Sequence, residues 1–164
     1  MTEPLNSGTI STKIQRIAEM ARRHPERAFR SIHHVIDIEW LREAYRRTRK
    51  SGAVGVDGQT ATKYAEHLEE NLQVLLDRFK TGSYRAPSLR RAHIPKDGGK
   101  TRSIGIPTFE DKVLQTAIRM LMEAIYEEDF LDCSYGFRPR RSAHDALDAL
   151  WKSVMSMGGA WVVE

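Results

Sequence analysis

Six basic side chains crowd one short stretch of this sequence. Between Tyr84 and Arg102 stand Arg85, Arg90, Arg91, Lys96, Lys100 and Arg102, with Asp97 as the only acid. Side chains of this kind bind phosphate, lysine as a point charge and arginine as a two-pronged donor. Arg138, Arg140 and Arg141 make a second basic cluster, and Arg42, Arg46, Arg47, Arg49 and Lys50 a third. Acids gather elsewhere, in "EHLEEN" and "EAIYEEDF". Such separation suggests a surface that meets phosphates.

"HIPKDGGKTRSIGIPT", His93 to Thr108, contains Gly-Gly-Lys-Thr and so invites comparison with a nucleotide-hydrolase phosphate loop. That loop requires a further glycine where this chain has Ile94, and it must open a helix. Ile104 and Ile106 instead alternate, and Pro107 closes the run, which is strand spacing. The better reading is a β-hairpin. "LRRAHIP" rises, "KDGGK" turns with glycines for positive φ, and "TRSIGIP" descends.

Other chemistries lack their residues. Cys133 is the single cysteine, so no internal disulfide forms; it reads as a small, partly buried residue in a reducing compartment. No Cys/His cluster has zinc spacing. The 164 residues carry a net charge of +4, with 40% hydrophobic and 29% charged side chains, the balance of a soluble domain with a real core. No apolar run approaches a membrane span, and "MTEPLNSGTIS" has no signal-peptide pattern.

Helices must position the basic groups. Residues 1–11 read as a disordered terminus, and 12–23 as a short helix from the spacing of Ile14, Ile17, Ala18 and Ala21. Asp37 caps a second helix that Gly52 ends. "SGAVGVDG" is a loop in which Asp57 caps a turn or the next helix. Thr60 opens a third helix, with Tyr64, Leu68, Leu72, Leu75 and Phe79 in line and Gly82 closing it. "TFED" is a capping box with aspartate in the glutamate's place, and it starts a helix bearing Val113, Leu114, Ala117, Ile118, Leu121 and Ile125. Ser142 caps a last helix with Ala146, Leu147, Leu150 and Val154 on one side, and "GGAWVVE" begins a buried strand.

Five stretches then carry a resemblance. "AVGVDG" at 53–58, "YRAP" at 84–87, "IPKDGGKTRSIGIPT" at 94–108, "DKVLQTAI" at 111–118 and "SYGFRPRRSAHDAL" at 134–147 resemble, in order and spacing, the N-terminal blocks of group II intron reverse transcriptases, also called maturases. The resemblance spans roughly residues 12–164. It implies an α+β fold: the mostly helical fingers of a right-hand polymerase, with a basic antiparallel hairpin and the start of a palm strand. Residues 12–58 would be the N-terminal extension of the fingers, 59–157 the fingers with the hairpin at 89–107, and 158–164 the first palm strand. The palm aspartates would follow Glu164, so no catalytic residue and no metal ligand is expected here, and this chain alone should be inactive. Mg2+ is the cofactor expected of the full-length enzyme.

The resemblance also assigns roles. Lys96 and Arg102 would reach the β- and γ-phosphates of an incoming dNTP; as residues alone they could be two solvated charges beside a turn. Arg138 would join them on nucleotide or phosphate. Arg85, Arg90, Arg91, Lys100, Arg140 and Arg141 would face RNA. Gly55 and Gly58 would let template RNA approach the backbone. Gly105 marks either such an approach or a bulge. Phe137 either stacks on a base or sugar, or packs beneath its loop. Gln115 would reach the primer–template region or sit at the core's edge, and the basic helix 40–50 either tracks RNA or is an ordinary solvated face. The chain departs from the family at Arg140, usually glycine, at Ser103, where proline is common, and at Val54, often proline.

The expected partners are intron or template RNA, with primer DNA and dNTP in the full-length enzyme, no membrane, and a homodimer as an open alternative. The expected setting is bacterial cytoplasm, with nucleoid or RNA. Two other functions stay open: a non-catalytic RNA-binding or splicing module of a degenerate relative, and a reverse transcriptase of phage defence.

Overall fold

Short polar caps set where the helices begin. The computed structural model describes residues 9–26, 28–30 and 32–157. Thr9 opens α1 (Ile10–Arg23), its hydroxyl accepting from the Thr12 amide. Asp37 opens α2 (Ile38–Arg47), its carboxylate accepting from the Trp40 amide at 3.0 Å. Thr60 opens α3 (Ala61–Glu66), and α4 (Leu68–Lys80) follows directly. β1 (Arg90–Pro95) and β2 (Thr101–Ile106) form the antiparallel hairpin. Thr108 opens α5 (Phe109–Asp129), and Ser142 opens α6 (Ala143–Ser156) with a reciprocal Ser142–Asp145 capping box. The fold is α+β, with six α-helices and one two-stranded hairpin among the described residues. No helix among them is long and apolar enough to cross a membrane.

α5 is the central beam. Val113, Leu114, Ala117, Met120, Leu121 and Ala124 are buried along it, against α1, α2 and α3. Trp40, fully buried, donates its indole N–H to the Ala117 carbonyl at 3.0 Å, which satisfies the one polar atom of a large apolar side chain. Tyr45, Tyr64 and Phe109 make an aromatic cluster with centroids 5.2–6.3 Å apart.

Several expectations need correction. α1 already begins at Ile10, inside the stretch expected to be disordered; residues 1–8 lie outside the described ones. α2 stops at Arg47, because Thr48 turns extended and binds back to the Ala44 carbonyl, so Gly52 lies beyond its end. The third helix breaks at His67, where the Asn71 amide satisfies the Tyr64 carbonyl. The Tyr64–Leu72–Leu75 line still faces inward across the break. Asp111 does not complete the capping box at Thr108; its carboxylate accepts instead from Tyr84 and Gln115. Cys133 is exposed. α6 is amphipathic as expected, yet it buries none of its residues; Leu147, Leu150 and Val154 face outward with Trp151. The strand expected at 158–164 lies outside the described residues.

One glycine joins these parts. Gly55 is buried, and a Cβ there would stand 2.6 Å from the Thr108 Cα and 2.9 Å from the Pro107 carbonyl oxygen. Gly55→Ala is therefore expected to lower the unfolding free energy by about 1–3 kcal/mol, as overpacking against rigid backbone does. Gly52→Ala, with nothing within 4 Å of its Cβ, should be near neutral in the same thermal melt.

Candidate functional site

The hairpin turns as its glycines require. Gly98 and Gly99 have φ of 78° and 72°, and the Lys96 amide donates to the Lys100 carbonyl at 2.7 Å. The register pairs Ile94 with Arg102, Ala92 with Ile104 and Arg90 with Ile106. Cross-strand partners share a face, and side chains alternate along each strand. Lys96 and Lys100 have extended backbones and continue that alternation. One face therefore carries Arg90, Lys96, Lys100 and Arg102 above Ala92, Ile94 and Ile104. The other carries Arg91, His93, Ser103 and Gly105. The side chains of Arg85, Arg91, Lys96, Lys100 and Arg102 are exposed and make no ion pair or hydrogen bond among the described residues.

The base of the hairpin is held firmly. Ile106 is buried. Arg90 Nε donates to the Val54 carbonyl and Lys112 Nζ to the Ala53 carbonyl, each at 2.8 Å. Tyr84, just before β1, donates its hydroxyl to buried Asp111 at 2.9 Å, and Gln115 donates to the same carboxylate at 2.7 Å. Burial, then the Asp111 bond, pushes the Tyr84 phenol well above its ordinary range, so it stays a donor.

Three residues expected to face RNA have contacts within the protein itself. Gly55 makes its close approach to its own chain, at Pro107 and Thr108, so it presents no open backbone. Arg90 is exposed but engaged with the 53–54 loop. Gly105 sits in unbroken register opposite Arg91, which removes the bulge reading; it is exposed, and the Leu89 side chain occupies the space a Cβ would take, with Cδ1 2.6 Å from that position. Gly58 occupies an exposed turn at φ 67°, beside Asp57, whose carboxylate caps that turn by accepting from the Gln59 amide.

The basic helix has its own counterions. Arg42 is paired with Glu69 and Glu39, and Arg46 and Arg47 both bind Glu43. The solvated-face reading fits Arg42, Arg46 and Arg47, whereas Arg49 and Lys50 have no acidic partner among the described residues. Arg46, then Arg47, holds the Glu43 carboxyl down at about 2.

No protein-family model matches the chain. It is 39% identical over 162 residues to Protein YkfC of Escherichia coli K12, covering 94% of this chain and 42% of that protein. It is 41% identical over 112 residues to Group II intron-encoded protein LtrA of Lactococcus lactis, covering 67% of this chain and 18% of that protein. Nuclear intron maturase 2, mitochondrial, of Arabidopsis thaliana is 32% identical over 100 residues, or 56% of this chain and 13% of that protein. The chain belongs to the group II intron reverse transcriptase and maturase family. It spans less than half the length of these relatives.

In this maturase-family chain the "SYGFRPRR" loop is pinned from within. The Arg138 side chain is 6% exposed. Its Nε and Nη2 bind Glu127 at 3.1–3.3 Å, Nη1 donates to the carbonyls of Leu131 and Ser134 at 3.0 Å, and the guanidinium stacks over Phe130. A phosphate would have to replace Glu127 to reach it. Phe137 does not pack beneath the loop; it is fully exposed, at φ 58°. Arg141 binds Asp132 and lies over Tyr135, whereas the exposed Arg140 has no side-chain partner among the described residues. Sequence reasoning missed Glu127, which carries no motif of its own; Tyr84 opens the "YRAP" block, but its bond to Asp111 is not legible in that motif. Among the described residues no three His, Cys, Asp or Glu side chains gather.

Arg140 also has φ 58°, a left-handed backbone that glycine adopts freely and arginine does not. Arg140→Gly should raise stability by about 1 kcal/mol in a denaturant titration, by relieving the left-handed backbone. The Glu43 pairs predict an acid signature. A carboxyl depressed from 4.5 to about 2 stabilises the fold above 4.5, and that contribution is lost as pH falls toward 2. The melting temperature should fall more steeply over that window in the parent than in Glu43→Gln.

Proposed function

We propose that this chain is the fingers region of an RNA-directed DNA polymerase. It would grip template or intron RNA by its phosphates and, joined to a palm, hold the triphosphate of the incoming dNTP while primer DNA supplies the attacking hydroxyl. One observation carries the reading: Lys96, Lys100 and Arg102 share one exposed hairpin face, and their side chains have no partner among the described residues. Unpaired cations on a braced scaffold can neutralise a polyphosphate and fix its geometry. The same residue types ion-pair on α2, as Arg42 and Arg46 do, whereas on the hairpin they stay available to a ligand.

Lys96 supplies the point charge and Arg102 the forked donor. Arg91, on the opposite face, and Arg85 would meet RNA backbone. Arg138 would join the nucleotide site only by exchanging Glu127 for a phosphate.

The test uses the full-length protein. Lys96→Ala and Arg102→Ala should each raise the KM for dNTP about tenfold or more, the scale of one charge-assisted hydrogen bond, while the Kd for RNA changes little. Equal loss of nucleotide use and RNA binding would instead support a hairpin that only grips RNA.

A further inference from the structure

A second basic site lies away from the hairpin tip. A cleft of about 450 Å³ is lined by Thr48, Arg49, Lys112, Gln115, Thr116 and Arg119. Three of these are cations and three are neutral hydrogen-bonding groups; none is acidic. Lys112, Gln115, Thr116 and Arg119 follow the i, i+3, i+4, i+7 pattern, so they form one stripe of α5. Arg49 comes from the chain that leaves α2.

The floor and walls are fixed. The Thr48 hydroxyl donates to the Ala44 carbonyl and lies 3.1 Å from the Thr116 hydroxyl, which itself donates to the Lys112 carbonyl. The cations keep most of their charge unspent. Arg49 donates only to the Ser51 hydroxyl, Lys112 to a neutral carbonyl, and Arg119 stands 3.9 Å from Glu123. This differs from the next turn of α2, where Arg46 and Arg47 are tightly bound to Glu43. The 53–54 loop links the cleft to the hairpin, because Lys112 holds one of its carbonyls and Arg90 the next.

We propose that this cleft is a phosphodiester-binding subsite for RNA, which extends the hairpin's basic surface along α5. The inference rests on the RNA-binding half of the function proposed above. Residues 112 to 119 rise about 10 Å along the helix, at ~1.5 Å per residue. At an axial rise of ~3.4 Å per nucleotide, that length admits more than one phosphate. No aromatic ring on which a base could stack is in this lining, so recognition would be mainly of the backbone.

The experiment measures binding of a fluorescein-labelled single-stranded RNA of mixed sequence to the full-length protein across a salt series. Arg49→Gln and Arg119→Gln should each weaken binding several-fold and reduce the slope of log K against log salt by about 0.7, the value for one fewer phosphate neutralised on a single strand. Arg46→Gln, whose cation is already neutralised by Glu43, serves as the control and should leave the slope unchanged. Thermal melts of all three variants separate a binding defect from a folding defect. A parent-like slope and affinity in both cleft variants, or an equal drop in Arg46→Gln, overturns the subsite. The fingers reading would survive that result if Lys96→Ala and Arg102→Ala still raise the KM for dNTP. A parent protein with no salt-dependent RNA binding overturns the subsite and the RNA-binding half of the reading together.

Discussion

The aim of the basic hairpin depends on a backbone approach at Gly55. The chain leaving α2 presses against Pro107 and Thr108, where β2 ends and α5 begins, with no room for a Cβ. Around that point Arg90 and Lys112 take up the two carbonyls that precede it, and Ile106 enters the core. Two strands with no third neighbour are marginal in water. Here the pair is clamped at its root to the longest helix, so its outer half can remain polar and charged without losing direction.

Charge pairing then divides the surface into two kinds. On α1, α2 and α4 the arginines meet glutamates: Arg22 with Glu128, Arg42 with Glu69, Arg78 with Glu110. Exposed pairs of this sort contribute little to stability, but they cancel the local field. On the hairpin the cations lack such partners among the described residues, and along one stripe of α5 there is only the loose Arg119–Glu123 pair at 3.9 Å. A modest net charge of +4 thus gives little guide to the potential, which is set by where the acids are withheld.

Much of this was legible in the sequence. Caps at Thr60, Thr108 and Ser142 fall where polar side chains precede apolar periodicity, and the Asp-Gly-Gly turn follows from the positive φ that only glycine takes freely. What escaped depends on tertiary packing. Periodicity gives Leu147, Leu150 and Val154 a common face but not a partner for it, and α6 leaves that face exposed. Basic spacing singles out Arg138 but not Glu127, eleven residues earlier, which holds it. Glycine in "GVDG" signals close approach, yet the sequence does not say whether the approaching backbone is RNA or the protein's own Thr108.

The pairing of Ile94 with Arg102 has a consequence for how such a hairpin can change length. Strand side chains repeat every two residues. Inserting a single residue between Arg102 and Ile106 would carry Arg102 to the side that now bears Arg91 and His93, while Lys96 stayed behind. A two-residue insertion in each strand would lift the tip and keep Lys96 and Arg102 together. The hairpin can therefore lengthen or shorten only in matched, even steps if its two faces are to keep their separate sets of cations.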